Sequence, residues 1–509
     1  MRNWRRLTVP TAWLLLFLLL PITSLPLLSS LIGSSMVAAP SIVILLFLVL
    51  FWMLPALWKG AGIPPQAKPI LIFAAIALLA CLLSLFFYLP AFKQTNSWIN
   101  MLEGVITLGI GLCFYLTTSM WFAEEGRLRS ALRWINWSGL IILAWSALQA
   151  VYSYNPAMTY PDWFLRIQEF LTPSGQLFYR RVAGMAFEPS WLAHQLNMLY
   201  LPFWLAASAK RTSAHPWRLL RKISFENLLL LGGLVILWLS SSRVGLLAFL
   251  LCLAYLFFLA NVYLVNYISR RLRGKRIVSQ LKRRAISAAV VLGLLAIYAG
   301  FFLGAAVALS RSDPRMKGLF DFSVISSKGI LAYANKLLFA ERLVFWDVGW
   351  KVFNDYPLFG VGLGNVGYYF PQKMSSFGWA LVEIHDVIIK STTIPNVKAL
   401  WSRLPAETGL IGLSAFLTWL YTLWASSKHT AQQASRNLQS VGLAGQLAVV
   451  ALVIEGFSLD TFALPYYWIS FGLATAAWRI FRDSHLPKPK DTIKSDDKLE
   501  LPVPSEGKC

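Results

Sequence analysis

Apolar residues arrive in long uninterrupted runs separated by short polar breaks. Runs of this length fit membrane-crossing helices, because backbone polar groups in lipid must be satisfied within the segment. The pattern predicts twelve spans, at about 11–32, 38–58, 69–91, 100–122, 134–153, 190–209, 225–241, 244–267, 286–309, 406–427, 441–457 and 462–478. One long polar segment interrupts the series, from Ser310 to about Pro405. Inside it, helical periodicity runs from about Lys328 to Asn354, stops at Pro357 and passes into a turn with Gly360, Gly362 and Gly364. The expected fold is therefore all-α and polytopic. Helices at 1–309 and 406–478 flank a large, partly helical extracytoplasmic loop at 310–405, and a disordered tail follows at 479–509. A second outer segment, Tyr154 to Pro189, mixes aromatic and basic residues and predicts a short interfacial amphipathic helix and turn.

Composition agrees with the pattern: 57% of the 509 residues are hydrophobic and 14% are charged. The net charge of +23 would suggest nucleic acid in a soluble protein. Here the basic residues fall between spans instead. With both termini inside, the predicted cytoplasmic segments hold 30 of the 46 Lys and Arg, and the short outer segments hold five. That asymmetry sets the orientation, and no nucleic-acid partner is expected. The apolar run after Arg6 continues past a signal-peptide core, so the first helix is read as retained. Cys81, Cys113 and Cys252 lie in apolar spans and Cys509 is terminal. No disulfide or thiolate metal site is predicted.

Several charged residues stand out. Arg243 closes the polar break Leu239-Ser-Ser-Ser-Arg243, where a cation near membrane depth faces a cavity, an anion or the interface. The adjacent serines and helix start offer further donors to an anion. Arg180 and Arg181 precede Glu188-Pro189, a helix start at which Glu188 either complements the dipole or acts as a base or ion-pair partner. Arg342 shares a helix face with Trp346, and its forked donors suit a diphosphate. Lys398 and Arg403 precede the tenth span, in which Glu407 complements the first turn. His385 with Asp386 is the one adjacent His–acid pair of the long loop, and imidazole is suited to proton transfer near neutrality. His194 reads as a hydrogen-bonding residue within the bundle.

These stretches together resemble the O-antigen ligase and polymerase superfamily. The resemblance rests on Ser242-Arg243-Val-Gly245, on Arg342-x-x-x-Trp346 followed by Asp355-Tyr-Pro-Leu-Phe-Gly-Val-Gly-Leu-Gly364, and on Ala406-Glu-Thr-Gly-Leu-Ile-Gly412. It covers about 225–425. Arg181 and Gly184 with Phe187-Glu-Pro-Ser190 look like the polymerase branch. The resemblance implies a metal-independent, cofactor-free glycosyltransferase of surface polysaccharide synthesis on the outer face of a bacterial inner membrane. Its donor would be a polyprenyl-diphosphate-linked oligosaccharide, its acceptor a glycan or glycolipid hydroxyl, and its outcome inversion. Arg180, Arg181, Arg243, Arg342 and Arg403 are the candidate diphosphate ligands, and Glu188, His385 and Lys398 the candidate bases. Ligases carry a His-Asn pair about eleven residues before the glycine matching Gly409; here Lys398-Ala399 stands there, so polymerase is favoured over ligase. A lipid-linked-glycan transporter is the alternative of another class. It predicts charges deep in several spans and two similar halves, and the sequence shows neither.

Overall fold

The computed structural model describes residues 2–28, 38–86, 88–155, 157–174, 177–273, 280–312 and 316–485. The chain is an all-α polytopic membrane protein. Among the described residues, strand structure is confined to one antiparallel two-residue pair, Arg218–Leu219 with Ile223–Ser224. Among the described residues, eight helices are long and apolar enough to cross a membrane: Pro40–Trp58, Pro65–Ser84, Ser97–Trp121, Glu125–Tyr154, Arg243–Tyr267, Val291–Ala308, Leu400–Gln433 and Arg436–Glu455. Leu7–Leu19 and Phe225–Leu239 are apolar but shorter. Two further helices, at 189–210 and Pro465–His485, form the middle of the bundle, with residues 191–204 and 465–477 buried throughout.

Helix ends depart from the predicted spans where local chemistry intervenes. The first helix is Arg2–Leu19 rather than 11–32. Pro21 lacks an N–H and disfavours helical backbone at the residue before it. Residues 29–32 lie outside the described residues, as does 486–509, where most of the expected disordered tail falls. Ser97–Trp121 starts where Asn96 accepts the Trp98 N–H at 3.0 Å, an N-cap that fixes its first turn.

Helices approach closely where small residues face large ones. Gly111 lies under the Trp468 indole, which would stand 2.3 Å from an added Cβ. This lets Ser97–Trp121 lie along Pro465–His485. Leu400–Gln433 packs along both Arg436–Glu455 and Pro65–Ser84.

The long polar segment builds a second core of its own. Val344, Val348 and Val352 recur on one face of the helix Ala340–Asp355 and meet Phe370, Ile384 and Val397. The predicted helix 328–354 is in fact two, Ser323–Lys336 and Ala340–Asp355. Leu338 turns left-handed at φ 50° between them, and Phe339 N–H closes the turn on Ala334 O at 2.8 Å. The outer segment before Pro189 carries the helix Asp162–Leu171.

Candidate functional site

The site is organised by a break in a membrane helix. Leu400–Gln433 is continuous in outline, but Gly409 is non-helical at φ 64°, ψ −170°. The break frees backbone groups on both sides, and a buried free N–H or C=O in a membrane bundle must find a partner. The glycine turn supplies them. Val361 and Gly362 donate their N–H groups to Ala406 O and Glu407 O at 3.0 and 2.9 Å. In return Leu410 and Ile411 donate to Pro357 O and Leu358 O at 2.8 and 3.3 Å. A Cβ at Gly360 would lie 2.5 Å from Glu407 backbone carbon, and one at Gly364 would lie 2.3 Å from Asn100 O. Gly360, Gly362 and Gly364 all have positive φ, so these positions need glycine for conformation as well as space. They seat the loop on the bundle.

Side chains lock the same joint. The Glu407 carboxylate accepts from Gly364 N–H at 3.0 Å and from Arg403 Nε at 2.8 Å. Arg403 also donates to Asp460 O at 2.6 Å and lies 5.2 Å from the Phe462 ring centre. Both charged residues are buried, so Arg403 acts as an internal strut of the break. Glu407 likewise does more than complement a helix dipole.

A second buried network lies at the end of Arg436–Glu455. Glu455 accepts from Asn197 Nδ2 at 2.7 Å and faces His194 Nδ1 at 3.4 Å. Asn197 also donates to Gly245 O at 2.8 Å, two residues past Arg243. Buried His194 Nε2, Asp460 Oδ2 and Tyr467 Oη have no hydrogen-bond partner among the described residues. Sequence reasoning missed Glu455, Asn197 and Asp460. For Glu455 the signal was there: a carboxylate inside an apolar span, here 441–457, is a functional-site candidate by default.

The candidate arginines fall into two groups. Arg243 donates to Leu337 O at 2.5 Å and Leu338 O at 3.0 Å, the carbonyls released where the long-loop helix is interrupted. Four residues further on is Arg342. It is half-buried, and only its Nη1 has protein partners among the described residues: Lys398 O at 3.3 Å and Ser458 O at 3.5 Å. Trp346, one turn later, packs against Phe339 and Phe457. Arg181 reaches Ser240 O at 3.4 Å and so joins the turn that ends in Arg243. Arg180 is exposed, at φ 50°, beside Tyr179. The serines of that turn are used within it. Ser240 Oγ donates to Leu237 O at 2.7 Å, and Ser242 Oγ accepts Gly245 N–H at 3.3 Å as a helix cap.

The candidate bases are dispersed. Glu188 precedes the helix that begins at Pro189 and accepts from Ser190 Oγ. Lys398 pairs with Glu383 and sits 4.6 Å from the Phe345 ring centre. His385 is exposed two residues after Glu383, with its Nδ1 4.0 Å from Asp386 Oδ1. A hydrogen bond from Lys390, above all, holds the Asp386 carboxyl below its usual range. Lys93 pins the same lobe through Nζ to Val387 O and Thr393 O at 2.5 and 2.8 Å, and burial lowers its ammonium pKa. Among the described residues, no group of three His, Cys, Asp or Glu side chains could hold a metal ion.

The arrangement thus brings Arg181, Arg243 and Arg342 to the join between bundle and long loop, with Lys398 beside Arg342. Forked donors there can bind phosphate oxygens and stabilise charge developing on a leaving group. Comparison with protein-family models and with curated proteins finds no match to the chain.

Proposed function

We propose that the chain is a metal-independent, inverting membrane glycosyltransferase of the O-antigen ligase and polymerase type. It transfers a glycan from a polyprenyl-diphosphate carrier to an acceptor sugar hydroxyl. All twelve helical stretches cross a bacterial inner membrane, both termini are cytoplasmic, and the loop at 310–405 closes the site on the outer face. The observation that carries this reading is Arg342: a half-buried guanidinium with two nitrogens not engaged by protein among the described residues, one turn beyond the Leu337–Leu338 carbonyls that hold Arg243. Sugar–diphosphate cleavage leaves a group that already carries charge, so arginines can stabilise the developing negative charge. The acceptor hydroxyl needs at most one base. The acceptor is another lipid-linked repeat, which makes the enzyme a polymerase.

Arg342→Ala is expected to lower transfer about 10²–10³-fold. Arg342→Lys should recover part of it, because an ammonium keeps the charge but not the fork. In a complementation strain, full-length surface polymer from Arg342→Ala at parental protein level would remove the residue from the site. A gel of glycans from a deletion strain separates the acceptor classes. Products collapsed to one repeat are expected; long chains still on the carrier would make the protein a ligase. In vitro transfer is expected to survive EDTA, and its loss would contradict the metal-free mechanism.

A further inference from the structure

A cavity of about 320 Å³ lies at the opposite end of the bundle. Ser440 lines it, while Glu455 lies at the other end of the same helix, Arg436–Glu455. Fifteen residues at 1.5 Å each separate them by about 22 Å. Its inner wall holds Glu226, in the first turn of Phe225–Leu239 and 3% exposed. One carboxylate oxygen is satisfied: Oε1 accepts from Asn136 Nδ2 and from Ala214 N–H, both at 2.9 Å. Asn136 is held in turn, since its Oδ1 accepts Trp204 Nε1 at 2.9 Å. The other oxygen, Oε2, is buried and has no hydrogen-bond partner among the described residues.

A buried carboxylate oxygen without a hydrogen-bond partner is costly, because its desolvation is not offset. It calls for a donor or a cation from the cavity. At the mouth both signs are present, exposed Glu125 together with Arg129. Exposed Arg129 lines the cavity, and its Nε donates to Ala214 O at 3.4 Å; Arg133 Nε donates to the same oxygen at 2.9 Å. Ala214 therefore has Glu226 bound to its N–H and the arginines to its carbonyl, which sets an anion and cations close together. Leu132, Phe203 and Val441 supply apolar walls. The neighbouring chain, at 127–133 and 210–222, is rich in Lys and Arg and would draw phosphate to this end.

We propose that this cavity binds a zwitterion in which an ammonium and a phosphate are joined by a short linker, as in ethanolamine phosphate. The ammonium meets Glu226 Oε2 inside, and the phosphate meets Arg129 at the mouth. A purely anionic headgroup satisfies Arg129 and leaves Glu226 without a partner; a simple amine does the reverse. The source is a phospholipid headgroup or the free soluble compound.

The test uses the full chain, purified in detergent and stripped of lipid, with binding read by native mass spectrometry. Phosphatidylethanolamine should be retained at least tenfold better than phosphatidylglycerol of the same chains. Glu226→Gln should abolish that preference, and Arg129→Gln should weaken retention of both lipids. Competition by soluble phosphoethanolamine would support the headgroup chemistry and identify a free source as sufficient; retention of the lipid without such competition would assign the lipid. Equal retention of the two lipids overturns the proposal, as does competition by ethanolamine equal to that of phosphoethanolamine. If Glu226→Gln does not fold, Asn437→Trp at the exposed mouth should block retention. Parental binding in both Asn437→Trp and Arg129→Gln overturns the proposal as well.

Discussion

Replacing Arg403 by Leu is expected to destabilise the protein by about 3–5 kcal/mol, the usual consequence of leaving one partner of a buried ion pair alone. Glu407 is 1% exposed and would be left as an unpaired carboxylate beside the helix break. Its remaining named bond, from Gly364 N–H, is neutral and cannot replace a guanidinium at 2.8 Å. Asp460 O would lose its donor at the same time. The double variant Arg403→Leu with Glu407→Gln should recover a large part of the loss. An amide removes the buried charge and still accepts from Gly364. Thermal unfolding of the detergent-solubilised protein checks both, and the double-mutant cycle isolates the pair. A single Arg403→Leu variant as stable as the parent would show that the pair does not hold the joint. The double variant should regain protein level, and transfer is a separate readout.

The second large effect is expected at Gly409. An added Cβ would stand 2.0 Å from Leu358 O, 2.2 Å from Leu358 C and 2.4 Å from Phe359 N, all backbone atoms that cannot swing aside. The conformation, φ 64° with ψ −170°, belongs to a region that is essentially glycine-only. Strain of about 1–3 kcal/mol and overpacking of similar size add together. Gly409→Ala should therefore detach the 357–364 turn from the broken helix rather than unfold the whole bundle. Hydrogen exchange at the amides of Val361 and Gly362, which donate across the joint, should accelerate by orders of magnitude, and transfer should fall with it. Gly109→Ala is the contrast. It meets nothing within 4 Å, and a change within about 0.5 kcal/mol is expected. Parental exchange at Val361 in Gly409→Ala would refute the account of the joint.

The amino-acid order alone determined most of the helical plan. Apolar run length is a local quantity, and a helix overlies each of the twelve predicted stretches, eight of them long and apolar enough to cross a membrane. The stop at Pro357 and the glycine turn were equally local, because proline and glycine act on their own backbone. So was the shared face of Arg342 and Trp346, which follows from helical spacing.

Tertiary structure decided what the local rules could not reach. The sequence around Gly409 reads as the start of a span, yet the helix already runs from Leu400 and breaks at that glycine. It breaks there because a turn some fifty residues earlier supplies the missing backbone partners. The helix predicted over 328–354 splits at Leu338, and the carbonyls this releases are held by Arg243, about ninety-five residues away. Glu455 meets Asn197 and His194 across more than 250 residues. The same holds for the orphaned oxygen of Glu226, whose isolation depends on how three other segments close around it. Periodicity reports which face of a helix is apolar; which neighbour that face meets depends on the rotation and register of helices distant in the chain.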